Sequence, residues 1–281
     1  MERSELVLKP GAPHSGNLVF TSAGDNANVG KWIEGEKNFD LWITYYGERG
    51  RDNPLRAIGD IYNERKGGKF PNLHYAYQKW KELLDNYEAV MVMDDDIIID
   101  APAISRLFEI RERFGLWCLQ PAFSPAGRIC LPITSAHPFS MLRYTNFVEM
   151  NCPLFLKAAL DEFMRVYDPA LSRFGVEWWY LQTMGPDLAG KVAVVDEVVC
   201  VNPHTRTKTG GKRECQKIQS DCCAMKEWQR IKMTHGIKTD ERGFRTFGFV
   251  AKGAGANDFM MLAHYLLYKV KRAEKALLRR S

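Results

Sequence analysis

The chain has 281 residues, of which 46% are hydrophobic and 26% charged, with a formal net charge of +5. These values are ordinary for a soluble globular protein, long enough for one large or two small domains and able to bury a core without disulfides. No apolar run is long enough to span a bilayer, and Met1 to Glu5 lacks the basic-then-apolar pattern of a signal peptide.

The charge is unevenly placed. Lys269, Lys271, Arg272, Lys275, Arg279 and Arg280 stand against Glu274 alone, so the tail carries the whole excess. The near-neutral body argues against a nucleic-acid-binding face. Cys118, Cys130, Cys152, Cys200, Cys215, Cys222 and Cys223 are odd in number and mostly in apolar surroundings. They read as reduced thiols of a cytosolic protein. Cys215, Cys222 and Cys223 lack the CxxC pair or nearby His that a zinc site needs.

In chain order, Asn17 to Gly24 is an apolar strand that turns small and polar, followed by a loop or short helix over Asn28 to Trp32. Phe39 to Gly47 is a second strand and Glu48 to Pro54 a loop. Leu73, Tyr77, Trp80, Leu83 and Leu84 at helical spacing predict one amphipathic helix from Leu73 to Asn86. The strand Ala89 to Met93 runs straight into Asp94-Asp95-Asp96. Pro102 opens a helix through Phe114, and Leu116 to Gln120 is a strand closed by Pro121. This alternation predicts an α/β layer with a mostly parallel sheet. Further on, Phe147 to Met150 reads as a short strand, Pro153 to Val166 as a helix and Gly175 to Leu181 as the start of another. Val192 to Asp196 and Val198 to Val201 read as strands, Thr205 to Arg213 as a basic Gly-hinged loop and Asn257 to Arg280 as a final helix.

The acidic run is the most informative feature. Three adjacent carboxylates repel one another and cannot all be desolvated cheaply. A hard divalent cation takes oxygen ligands and commonly binds through one or two carboxylates plus substrate phosphates. The run therefore suggests chemistry on a phosphorylated or nucleotide-activated substrate. The plain alternative is a solvated strand-to-loop junction. Thr21-Ser22, Tyr45-Tyr46 and Asp94 to Asp96 all fall at the carboxyl ends of predicted strands, where open α/β sheets bind ligands.

Several segments resemble one family in order: the first strand, Phe39 to Gly47, Lys69-Phe70, the Asp run, Leu119-Gln120-Pro121-Ala122, Val148-Glu149-Met150 to Pro153, Gly175-Val176-Glu177, and Val194-Val195-Asp196 to His204. Over about residues 17 to 204 the chain resembles the domain-of-unknown-function 707 family, whose members are regarded as glycosyltransferases of the GT-A fold. The family pattern often has Asp-Glu-Asp where this chain has Asp94-Asp95-Asp96. It has a Gly-Trp-Gly-Leu-Asp type motif where this chain has Phe174-Gly175-Val176-Glu177.

The resemblance implies a single GT-A-like domain over residues 1–256, with a Rossmann-like, mostly parallel central sheet flanked by helices. The nucleotide-sugar half would cover about 17–125, the acceptor half about 126–256, and a basic C-terminal helix 257–281. It implies Mn²⁺ or Mg²⁺ held by Asp94 and Asp96, with His204 as a third ligand, bridging the diphosphate of a UDP-sugar. Asp96 would be the firmest ligand. Asp94 would act directly, through water or through the ribose, and Asp95 would contact the sugar. Thr21, Ser22 and Tyr46 would hold the nucleoside, with Tyr46 on the uracil. Lys69 and the basic loop of Arg206, Lys208, Lys212 and Arg213 would reach the diphosphate.

Glu177 is the candidate base for an inverting transfer to a glycan or other hydroxyl acceptor, with Glu149 in reserve. Trp178 and Trp179 would desolvate Glu177 or stack on a sugar. The alternative is an exposed Glu with the Trp residues in the core. The sugar, a pentose such as xylose or a hexose, would depend on the pocket near Glu149 and Gln120. Rival activities are a nucleotidyltransferase or nucleotide-sugar hydrolase using the same carboxylates, and a non-catalytic carbohydrate-binding protein. The C-terminal stripe of Phe259, Leu262, Leu266, Leu267 and Val270 either packs on the domain or lies on an anionic membrane, giving a cytoplasmic protein with peripheral membrane contact.

Overall fold

The computed structural model describes residues 5–171, 174–203, 221–238 and 243–252. His204, the basic loop from Thr205 to Arg213, Cys215 and the C-terminal stripe lie outside these residues.

The strands are β1 (Val7–Leu8), β2 (Asn17–Ala23), β3 (Asp40–Tyr45), β4 (Ile61–Glu64), β5 (Ala89–Asp94), β6 (Cys118–Phe123), β7 (Ser140–Thr145), β8 (Leu154–Leu156), β9 (Val192–Cys200) and β10 (Thr246–Ala251). The helices are α1 (Leu55–Ile58), α2 (Lys69–Lys79), α3 (Lys81–Leu84), α4 (Ala101–Arg113), α5 (Lys157–Val166), α6 (Val176–Thr183) and α7 (Asp221–Thr234). All ten strands join one sheet in the order β1-β4-β3-β2-β5-β8-β6-β9-β7-β10. Its longest ladders, β2 with β3, β2 with β5 and β6 with β9, are parallel. The pairings through β8 and β10, and of β1 with β4 and β7 with β9, are antiparallel.

Successive residues of a strand point to opposite faces, so a strand buried on both sides reads as a continuous apolar run. In β2, Leu18 and Phe20 face one core with Trp42, Val90 and Val92. Val19 faces the other with Leu41, Ile43, Met91 and Met93. The first core is closed by α2, α5, α6 and α7 through Phe70, Leu73, Leu160, Phe163, Tyr180 and Trp228. The second is closed by α4 through Ile104, Leu107 and Phe108. The result is a three-layer α/β/α sandwich with the carboxyl ends of β2, β3 and β5 side by side.

Several elements depart from the sequence expectation. The predicted 73–86 helix starts earlier, at Lys69, and breaks at Trp80, whose backbone (φ −134°, ψ 41°) leaves the helical region before α3. Residues 154–156 form β8 between β5 and β6, and the expected 153–166 helix begins only at Lys157. Phe147 to Met150 is not a strand: the Glu149 amide donates to the Gln120 side chain instead of a ladder partner. Strand β6 runs through Pro121, which has no N–H, and the pairing with β9 shifts register between Pro121 and Ala122. The two strands expected over 192–201 are one, β9. Helix α4 opens as the sequence suggests, one residue earlier: the Asp100 carboxylate caps it by accepting from the Ala103 amide at 2.9 Å, with Pro102 in the first turn.

Among the described residues no helix is long and apolar enough to cross a membrane. Among the described residues Cys118, Cys152 and Cys200 are buried cysteines outside any disulfide.

Candidate functional site

Strand β5 delivers Asp94 at its last position, level with Ser22 of β2. Asp95 and Asp96 lie in the turn beyond, so strand alternation does not extend to Asp96. The turn is pinned from below. The Asn28 amide donates to the Asp95 carbonyl at 2.7 Å, the Asn28 side chain to the Asp96 carbonyl at 2.7 Å, and the Trp32 indole to the Ile97 carbonyl at 2.9 Å. Ile98 pairs with Val201, which returns the end of β9 to this turn three residues before His204.

The three aspartates do different jobs. The Asp95 carboxylate turns back into the protein, accepting from the Gly24 amide and the Tyr46 hydroxyl, each at 2.9 Å. The Tyr46 ring lies so close to Gly24 that a Cβ there would sit 2.6 Å from it. Burial pushes the Asp95 carboxyl up to about 6; its neighbours Asp96 and Asp94 add to the shift, and the two hydrogen bonds oppose it. Asp95, expected to contact a sugar, is here a clasp between two strand ends. Tyr46, expected on a uracil ring, spends its hydroxyl on that clasp.

Asp94 is 31% exposed and pairs with the Lys69 ammonium at 2.9 Å. Lys69, at the start of α2 and 10% exposed, also donates to the Met150 and Asn151 carbonyls, the latter at 2.8 Å. Lys69, expected to reach a diphosphate, here ties the β5 end to the segment carrying Glu149. Thr21, expected to hold the nucleoside, is fully buried, and its hydroxyl donates to the Met93 carbonyl at 2.9 Å, inside the sheet. Ser22 is nearly buried and accepts from the Asn72 side chain at 2.8 Å.

Glu149 and Glu177 arrive from the other half of the sheet. Glu149 follows β7; its side chain accepts from the Thr134 hydroxyl at 2.7 Å. Gln120, fully buried on β6, accepts from the Glu149 amide. Burial raises the Glu149 carboxyl above its ordinary range, the Thr134 bond opposes this, and the Asp94 charge adds to it. Glu177 stands in the first turn of α6. Burial pushes its carboxyl up to about 7, against backbone hydrogen bonds at Glu177 and Gly175; the Glu149 charge adds to the shift and Lys69 opposes it. The fold places both candidate acids within each other's electrostatic reach, Glu149 also feeling Asp94 and Glu177 feeling Lys69. The support from Thr134 and Gln120 was not foreseen, because these partners lie 15 and 29 residues from Glu149.

Gly175 sets the entry to α6. It has φ +101°, and a Cβ there would be driven into the Trp228 indole of α7. Gly175→Ala is expected to cost about 2–4 kcal/mol, combining left-handed strain with overpacking. Urea unfolding measures it; an unchanged midpoint would refute this packing.

No group of three or more His, Cys, Asp or Glu side chains suited to a metal occurs among the described residues. Asp94 and Asp96 offer only oxygen donors, as a hard cation requires, and such a cation needs only one or two carboxylates when phosphate and water complete its shell. The donor set fits Mg²⁺ or Mn²⁺.

The fold finds a counterpart among solved structures. Residues 1–349 of TarS from S. aureus, in complex with UDP-GlcNAc, superpose with a TM-score of 0.52 at 12% identity, over 80% of this chain and 68% of that one. The fold is GT-A-like. GalNAc-T7 with UDP, GalNAc and Mn²⁺ aligns over 77% of this chain and 48% of its own at 12% identity, with a TM-score of 0.49. This chain spans 43% of a longer TarS structure. No protein-family model and no curated protein matches the chain, so the resemblance to the domain-of-unknown-function 707 family rests on its motifs alone.

Proposed function

We propose that this protein is a metal-dependent, inverting glycosyltransferase that moves a sugar from a UDP-sugar to a glycan hydroxyl. One observation carries the reading. A partly exposed aspartate at the β5 end stands with a buried glutamate, Glu149, and a half-buried one, Glu177, whose carboxyls are both raised above their ordinary range. Leaving-group binding and proton removal need such different carboxylates. The GT-A-like fold, shared with a structure holding UDP-GlcNAc, supports the choice of donor.

Asp94 and Asp96 would hold Mn²⁺ or Mg²⁺, which supplies positive charge to a departing diphosphate. Glu177 takes the proton of the acceptor hydroxyl as its oxygen bonds to the anomeric carbon. The bond from that carbon to the diphosphate oxygen breaks, and UDP leaves with the electron pair. Attack opposite the leaving group inverts the anomeric centre. Glu149, held by Thr134, shapes the field around Glu177.

A panel of UDP- and GDP-sugars with Mn²⁺ and oligosaccharide acceptors tests this. A UDP-sugar should be consumed with formation of a glycosidic product, and Asp96→Ala should lower turnover by about 10²–10³-fold. Unchanged turnover in that variant would sink the metal assignment. Free sugar as the only product would mark a hydrolase, and sugar 1-phosphate a reaction at the diphosphate.

A further inference from the structure

Beside the two glutamates stands an aromatic stack that the proton chemistry does not use. Phe147 lies two residues before Glu149, and Trp178 directly follows Glu177. Their rings are 5.0 Å apart, and Phe244 covers both, edge-on to Phe147 at 4.7 Å and near-parallel to Trp178 at 6.0 Å with 19° between planes.

Phe244 is held in place. Asn146 donates from its amide to the Arg245 carbonyl at 3.1 Å and from its side chain to the Gly243 carbonyl at 3.0 Å, and it accepts from the Arg245 amide at 2.7 Å. Three hydrogen bonds thus fix the backbone around a phenylalanine that stays 40% exposed. Two more exposed rings follow along β10, the edge strand: Phe247, at the point where the pairing with β7 shifts register, is 45% exposed and Phe249 is 64% exposed. The Arg245 guanidinium sits 5.8 Å from the Phe247 ring centre.

We propose that this row is the acceptor subsite and that it binds the sugar rings of a glycan. The inference rests on the glycosyltransferase reading and assigns the residues that receive its acceptor. An aromatic ring offers a flat apolar surface to the C–H face of a pyranose, while side chains around it hydrogen-bond the hydroxyls. Single rings separated along a strand and interleaved with a guanidinium suit a chain of sugars better than a continuous apolar protein or lipid surface. The row starts with Phe147 and Trp178, near neighbours in sequence of the two acids to which the acceptor hydroxyl must come.

Affinity electrophoresis of the full 281-residue chain through gels containing xylan, mannan or a soluble β-glucan tests this. At least one polysaccharide should retard the protein. Phe244→Ala should weaken retardation about tenfold, Phe244→Trp should preserve it, and Phe249→Ala should weaken it severalfold. Melting temperatures identify any unfolded variant, and the well-exposed Phe249 provides a site where folding is not at stake. Equal retardation of wild type and both alanine variants, or none in any gel, overturns the proposal. So does slow maleimide labelling of Phe249→Cys, which would show the row covered by residues 253–281 or by a second copy. Phe244-dependent retardation without UDP-sugar turnover would keep the subsite and remove the transferase reading; turnover with Phe244-independent retardation would do the reverse.

Discussion

Glu177→Gln is expected to lower glycosyl transfer by about 10²–10⁴-fold, the span contributed by a positioned general base. Gln keeps the size and hydrogen bonding of the side chain but cannot take a proton. Donor binding, read as a UDP-induced rise in melting temperature, should survive, so the loss should fall on kcat. With the Glu177 carboxyl raised to about 7 by burial, the wild-type rate should climb as pH rises through about 7, because only the ionised form is a base. A rate flat from pH 5 to 9 would remove Glu177 from the role.

The same shift has a stability consequence of definite sign. A carboxyl whose folded pKa lies above its unfolded one favours the fold below the unfolded value, and that advantage is lost as pH rises from about 4.5 through about 7. The variant should therefore be more stable than wild type at pH 8, by at most about 3.5 kcal/mol at about 1.4 kcal/mol per unit, and no more stable at pH 4. Activity and stability would then pull in opposite directions at one residue.

Arg143→Met should produce the largest loss of stability. Asp196 on β9 is fully buried, and Arg143 on β7 grips it with two hydrogen bonds of 2.8 Å. Ser140 and the His137 amide also donate to Asp196. Removing the guanidinium strands a buried carboxylate, an expected cost of about 3–5 kcal/mol and a fall of roughly 10 °C in melting temperature. Arg143→Lys should recover only part of it, since an ammonium cannot form the two-pronged pair. Arg143 also donates to the Ile133 and Ser135 carbonyls, at 2.8 and 2.7 Å, on either side of Thr134. Because Thr134 holds Glu149, activity should fall in Arg143→Met at temperatures where it is still folded. Calorimetry beside initial rates at 20 °C checks both; a variant melting with wild type would refute the pair's role.

The sequence disclosed what local pattern determines. Strands β2, β3 and β5 are buried on both faces and so appear as unbroken apolar runs, and α4 carries its own cap and proline. Strand β4 was missed because it is four residues long and its Asn63 is buried against Trp42 and Thr44, a polar residue satisfied only by tertiary partners. Leu154 to Leu156 could not be told from a helix start by periodicity, since three apolar residues fit both patterns. At the site, carboxylates clustered in sequence were visible, but which was free to act was not. The structural partners of Asp95 and Lys69, namely Gly24, Tyr46, Met150 and Asn151, lie far off in sequence and leave no local pattern.

The strand order also bears on how the chain is made. Strands β2 to β5 are contiguous in sequence and adjacent in the sheet, so the half bearing Asp94 can assemble from the first hundred or so residues to leave a ribosome. Strands β6 and β7 do not pair with each other: β9 lies between them, and β8 lies between β5 and β6. The half bearing Glu149 therefore waits for residue 200, an interval of several seconds at about 5–20 residues per second. Until β8 follows at residues 154–156, β5 presents an unpaired apolar edge. That edge is where a chaperone has most to protect, and where a pause in synthesis would do most harm.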